Sequence, residues 1–74
     1  MDSASDVPLG HYRHFKGGLY EVVGVARHSE TEDEFVVYRC RSGDGRLWVR
    51  PKAMFVEMVT IGGAALPRFQ YIGP

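Results

Sequence analysis

This sequence has little with which to staple itself. Cys40 is its only cysteine, so no disulfide can form within the chain. A small secreted domain of this size ordinarily carries several cysteines. Net charge is also absent. Nine Lys and Arg offset nine Asp and Glu, which excludes a protein whose whole surface draws nucleic acid. Long apolar runs are missing, and nothing approaches the roughly 20 residues that a membrane helix needs. The start, MDSASDVP, has no basic region and no apolar stretch, so it does not read as a secretion signal. These absences point to a reducing cytoplasm and to no membrane role. The 74 residues make one domain, and such a domain buries only about 60% of the surface its unfolded chain exposes. Most apolar side chains must then enter a single core, which favours a surface groove over a deep enclosed active site.

The charge that is present is unevenly placed. Asp2, Asp6, Glu30, Glu32, Asp33 and Glu34 hold six of the nine acids in two segments without a base. The remaining chain is basic. Residues 1–9 are small, polar or acidic and read as a disordered leader, with residues 10–74 as the folded domain.

Period-two patterning dominates that domain. His11 to Phe15 alternates, placing Tyr12, His14 and Lys16 on one side, and Gly17-Gly18 supplies a turn. Leu19 to Arg27 is rich in β-branched and aromatic residues and reads as the strongest strand. Gly24 inside it marks a bulge or bend. His28 to Glu34 is a polar loop, and Phe35 to Arg41 is the next strand. Ser42-Gly43-Asp44-Gly45 is a tight turn that returns the chain as Arg46 to Arg50. In that strand Leu47 and Val49 face one way, and Arg46, Trp48 and Arg50 the other. Pro51 ends the strand and opens a helical turn through Met54. Phe55 to Ile61 reads as a strand, Gly62 to Ala65 as a flexible link, and Leu66 to Ile72 as a last alternating strand. Five or six short antiparallel strands with glycine turns describe a mostly-β domain, expected as a small closed SH3-like barrel. Val22, Val25, Val37, Val49, Met54 and Phe55 are its expected core.

The segments GHYRHFKGGLYEVVGVARHSET, FVVYR, GRLWVRPKAMF and PRF, in this order, resemble the bacterial family known as domain of unknown function 1653. The resemblance runs from about Gly10 to Ile72. It falls on Tyr12, His14, Lys16, Gly17, Tyr20, Val22, Ala26, His28, Glu30, Thr31, Tyr38, Trp48, Arg50, Pro51, Met54 and Phe55. It implies a small SH3-like β-barrel and no established activity. One departure stands out: after Thr31 such proteins often read Gly-Glu, whereas this chain reads Glu-Asp-Glu.

Four chemistries are conceivable. His11, His14 and His28 do not form a metal site by spacing, because His11 and His14 point to opposite faces of a strand. His28-Ser29-Glu30 is no triad, because adjacent extended side chains diverge; Ser29 and Thr31 read as loop caps, and a meeting of His14 with Glu30 stays open. No catalytic residue, metal or cofactor is assigned. A third chemistry is ligand binding by Tyr12, His14, Lys16, His28, Glu30, Tyr38, Trp48 and Arg50, with Phe69 nearby. Amphipathic aromatics beside cations suit a shallow groove that stacks on a ligand and pairs with its charge. Trp48 is balanced between core and groove. Finally, Arg39, Arg41, Arg46, Arg50, Lys52 and Arg68 with Tyr38, Trp48 and Phe69 could serve RNA or single-stranded nucleic acid.

The leading expectation is a noncatalytic binding module for an anionic small ligand, a peptide or a protein, acting as a monomer or a weak homodimer. Nucleic-acid binding is the alternative, and an accessory subunit or small enzyme comes third.

Overall fold

The computed structural model describes residues 7–74. Its elements are β1 (Gly10–His14), β2 (Leu19–Arg27), β3 (Glu34–Cys40), β4 (Leu47–Pro51), α1 (Lys52–Phe55), β5 (Met58–Ile61), β6 (Ala64–Pro67) and β7 (Phe69–Gly73). Five strands form one antiparallel sheet in the order β4-β3-β2-β1-β7, and β5 pairs with β6 in a separate hairpin. The expected strand over Leu19–Arg27 has the observed bounds. Its register shifts between Val22 and Gly24, so the strand-interior glycine does sit at a bulge, which bends and twists the strand.

Register assigns the two faces. Tyr12 lies opposite Tyr20 and Tyr71, Val22 opposite Tyr38, Val25 opposite Val36, Tyr38 opposite Trp48, and Val36 opposite Arg50. Directly opposed residues share a face, so all of these belong to the inner one. The core there is Val7, Tyr12, Val22, Val36, Tyr38, Phe55 and Phe69. It is unusually aromatic. Phe55 stacks flat on Phe69, with ring centroids 4.3 Å apart and planes 4° from parallel. Tyr12 and Tyr38 pack against the same Phe55 ring.

Four of the six expected core residues need correction or qualification. Val22 and Phe55 are buried, and Val25 packs on the core from its edge. Val37 is half-buried on the outer face, while Val36 is fully buried. In the run Phe35-Val36-Val37-Tyr38 the two valines are chemically equal, and only the strand's parity separates them. Val49 is 61% exposed, because it lies opposite Val37 on the outer face of an edge strand. Met54 is also exposed: α1 is a single turn, and it turns Phe55 inward instead.

The later part of the chain differs from the expected elements. Phe55 closes α1 and does not start a strand; Pro51 precedes the helix as its N-cap. Gly62 and Gly63, at φ of 57° and 83°, form the two-residue turn between Ile61 and Ala64. Positive φ at both positions is what a tight hairpin turn of the favoured twist requires, and glycine adopts it freely. The expected flexible link is therefore a hairpin tip. Leu66 to Ile72 is likewise two strands, parted at Arg68.

The expected closed barrel is not found. β4 and β7 are the two edges of the sheet and share no ladder. The sheet nevertheless curls far enough for the Arg50 guanidinium on β4 to lie over the Phe69 ring on β7, 5.5 Å from its centroid. Side chains and α1, rather than backbone hydrogen bonds, fill that seam. The disordered-leader expectation is also too long at its C-terminal end. Val7 is only 4% exposed, and the Tyr12 hydroxyl donates to the Pro8 carbonyl at 2.7 Å. Residues 1–6 of that leader lie outside the described residues.

Candidate functional site

The inner face is apolar at its centre and basic where the sheet edges approach. His14, the last residue of β1, sits opposite Phe69. Its ring contacts Phe69 at 4.9 Å and Phe15 at 4.6 Å between centroids. The Lys16 backbone amide donates to His14 Nδ1 at 3.1 Å, so in the neutral ring the proton resides on Nε2. Partial burial lowers the His14 pKa, and the positive charges of Arg68, Arg50 and Lys16 lower it further. Three cations thus converge on one imidazole.

Arg50 is the centre of this arrangement. It lies opposite the fully buried Val36, reaches across the seam to Phe69, and has a buried Nε without a hydrogen-bond partner. Phe69 in turn touches Tyr20 and Tyr38. A guanidinium over an aromatic face gains roughly 0.5–2 kcal/mol, but its N–H groups still seek acceptors. Arg68 repeats the pattern in part: it pairs with Glu57 at 3.0 Å, yet its Nε is buried and unpartnered.

Three further bases are committed elsewhere. Arg39 pairs with Glu21 at 3.1 Å, Arg46 with Asp44 at 3.6 Å, and Lys52 with Glu34 at 3.2 Å. Among the described residues Arg50 makes no ion pair.

The expected binding residues therefore separate. His14, Tyr38, Trp48 and Arg50 share the inner face, and Lys16 borders it from the β1–β2 turn with Nζ 5.8 Å from the Phe15 ring. Tyr38 forms the floor, because it is buried. Trp48 lies beside Tyr38 on the same face but at the open edge, and it is 56% exposed. Tyr12 is core, not groove: it is 4% exposed, and burial, with Tyr71 nearby, pushes its pKa up to about 12.

His28 and Glu30 lie in the β2–β3 loop, beyond the far end of β2 from His14. His28 Nδ1 accepts the Glu30 and Thr31 amides, and Thr31 Oγ1 accepts the Asp33 amide. The loop is thus braced by His28 and Thr31, and His14 is not brought to Glu30. The expected binding set lacks Tyr20, which the sequence marks only through the family resemblance, and Arg68 stands only in the nucleic-acid set. The signal was present, since Tyr20 has the parity of the buried Val22 on β2. Arg68 could not be placed without the break between β6 and β7.

The Glu-Asp-Glu departure acquires a geometry here. Glu32 is the one described non-glycine residue at positive φ, 64°. It holds the loop by donating its amide to the His28 carbonyl at 2.9 Å. A glycine at this position would carry no Cβ strain.

No curated protein matches this chain. A crystal structure of a DUF1653 protein from Bordetella bronchiseptica is similar to it at 36% sequence identity and a TM-score of 0.82, covering 96% of this chain and 94% of that one. The family model described as protein of unknown function DUF1653 matches residues 10–71, which include every residue of the Arg50 seam. The chain belongs to the DUF1653 family.

Proposed function

We propose that this chain is a noncatalytic binding module that takes an anionic group, carboxylate or phosphate, on its inner face at Arg50. The observation that carries this reading is the guanidinium itself. Arg50 is held over Phe69 with a buried, unpartnered Nε and no counter-carboxylate among the described residues. A charged hydrogen-bond donor in that position is stabilised by a bidentate acceptor. His14 Nε2 and Lys16 add donors beside it, and Trp48 offers a stacking surface at the open edge. The curl that brings β4 to Phe69 supports reading the fold as an SH3-like barrel with its last seam bridged by side chains. The single Cys40 supports a cytoplasmic setting.

Pairing of Arg39, Arg46, Lys52 and Arg68 with carboxylates weighs against a continuous phosphate track. The small-anion reading is therefore favoured over nucleic acid. The test is a titration with inorganic phosphate and with succinate, at ionic strength matched by chloride, followed by backbone and arginine side-chain NMR. Shifts should centre on His14 and Arg50 and disappear in Arg50→Gln. Equal shifts in that variant, or shifts spread over every basic residue, would overturn the reading.

A further inference from the structure

We infer that the natural ligand is an extended acidic peptide, which adds as a strand to the open edge of β4. The inference rests on the anion-binding reading and specifies its ligand. Among the described residues β4 pairs only with β3, so one side of its backbone carries N–H and C=O groups without a strand partner there. Its residues Leu47, Trp48 and Val49 are 54%, 56% and 61% exposed. An exposed apolar edge strand is a template for another strand, and main-chain hydrogen bonds then supply affinity while alternate side chains supply specificity.

Charge selects the occupant. From Arg46 to Lys52 the β4 segment carries three bases and no acid; Arg46 and Lys52 have carboxylate partners elsewhere, and Arg50 has none among the described residues. In a second copy of this chain paired antiparallel about Trp48, Arg46 would face Arg50, a destabilising juxtaposition. An acidic strand is complementary instead.

The register of the sheet then fixes the ligand's pattern. Trp48 and Arg50 are two residues apart on the inner face, so the ligand residues opposite them are also two apart. Antiparallel addition, the more stable mode, places a carboxylate opposite Arg50 and, two residues later, an aromatic opposite Trp48. The ligand sequence is Glu-x-Tyr or its Asp or Phe equivalent. The seam that narrows at Arg50, where β4 meets Phe69, places the carboxylate end at the closed end of the groove.

The probe is the blocked peptide Thr-Thr-Glu-Thr-Tyr-Thr-Thr, with two controls: the same composition with Glu and Tyr adjacent, and the same sequence N-methylated at alternate backbone nitrogens. Binding is read by Trp48 fluorescence and by hydrogen exchange of the β4 amides. The parent peptide should quench or shift Trp48 and slow exchange at Leu47 or Val49, and each control should bind at least about tenfold more weakly, the loss of one charged hydrogen-bonded pair or of the strand ladder. Arg50→Gln should weaken the parent peptide alone, and circular dichroism shows whether that variant is folded.

Any of the following results would overturn the inference. One is unaltered binding of the N-methylated peptide. Another is tighter binding of oligouridylate with a steep salt dependence and no protection on β4, which identifies nucleic acid. The third is a concentration-dependent dimer that protects the β4 amides without peptide. Phosphate binding at Arg50 without peptide binding would remove the strand-addition proposal and leave the anion site standing. Loss of both removes both.

Discussion

Phe55 with Phe69 and Leu47 with Trp48 are two apolar pairs of similar character and opposite fates. Phe55 and Phe69 are 1% and 6% exposed, whereas Leu47 and Trp48 remain more than half exposed. Residue type does not separate them. Position in the curl does. Phe69 enters the core because β7 pairs with β1, which carries it over the inner face, and α1 drops Phe55 onto it. Leu47 faces outward with Val49; Trp48 shares the inner face, but it stands on the outermost strand beyond the point where the seam is bridged. The contrast shows where this domain spends its apolar surface: on a compact aromatic stack at the closed end, with a wide apolar edge left over.

Truncation should expose that difference most strongly. Phe55→Ala removes a fully buried ring and should cost roughly 3–5 kcal/mol of stability in urea unfolding, a large share of the 5–15 kcal/mol typical of a domain. Trp48→Thr should cost less than about 1 kcal/mol, the size of one cross-strand pair. Similar losses at the two positions would mean that Trp48 belongs to the core. A smaller effect of opposite sign is expected in the β2–β3 loop. Glu32→Gly relieves the left-handed backbone at φ 64°, partly offset by the freedom glycine adds to the unfolded chain, and should stabilise the fold by roughly 0.5 kcal/mol, read as a higher unfolding midpoint. An unchanged midpoint would show that the loop relaxes around Glu32 without strain.

Much of this arrangement is legible in the sequence because local chemistry imposes it. The β-branched run Leu19–Arg27 is bounded by a glycine pair and a polar loop, and its strand has those bounds. Gly24 announces the bulge, and Pro51 announces the change from strand to helical turn. The grouping of Trp48 with Arg50, and of His14 with Lys16, follows from alternation alone. What alternation cannot supply is which face turns inward. That is why the sequence pattern alone points to Val37 and Val49 as core in place of Val36, and to Tyr12 as groove. The choice is made by long-range pairing of β7 with β1, between residues far apart in the chain. The same non-local event decides that the sheet curls without closing and that Arg50 meets Phe69.

The pH behaviour of His14 gives the most direct access to the anion site. Burial and the neighbouring cations hold its pKa below 6.5 in the free protein. The neutral ring is therefore favoured on folding, so this contribution to stability is full above 6.5 and is lost as pH falls through that value towards the lowered one. An anion seated between Arg50 and His14 offsets those positive charges and favours the imidazolium. The decisive measurement is the His14 pKa by NMR titration of the ring, with and without inorganic sulfate, which stays dianionic throughout, at matched ionic strength. The account predicts a pKa below 6.5 in chloride and a clear rise in sulfate, with the rise abolished by Arg50→Gln. A His14 pKa that is the same in both salts would contradict it.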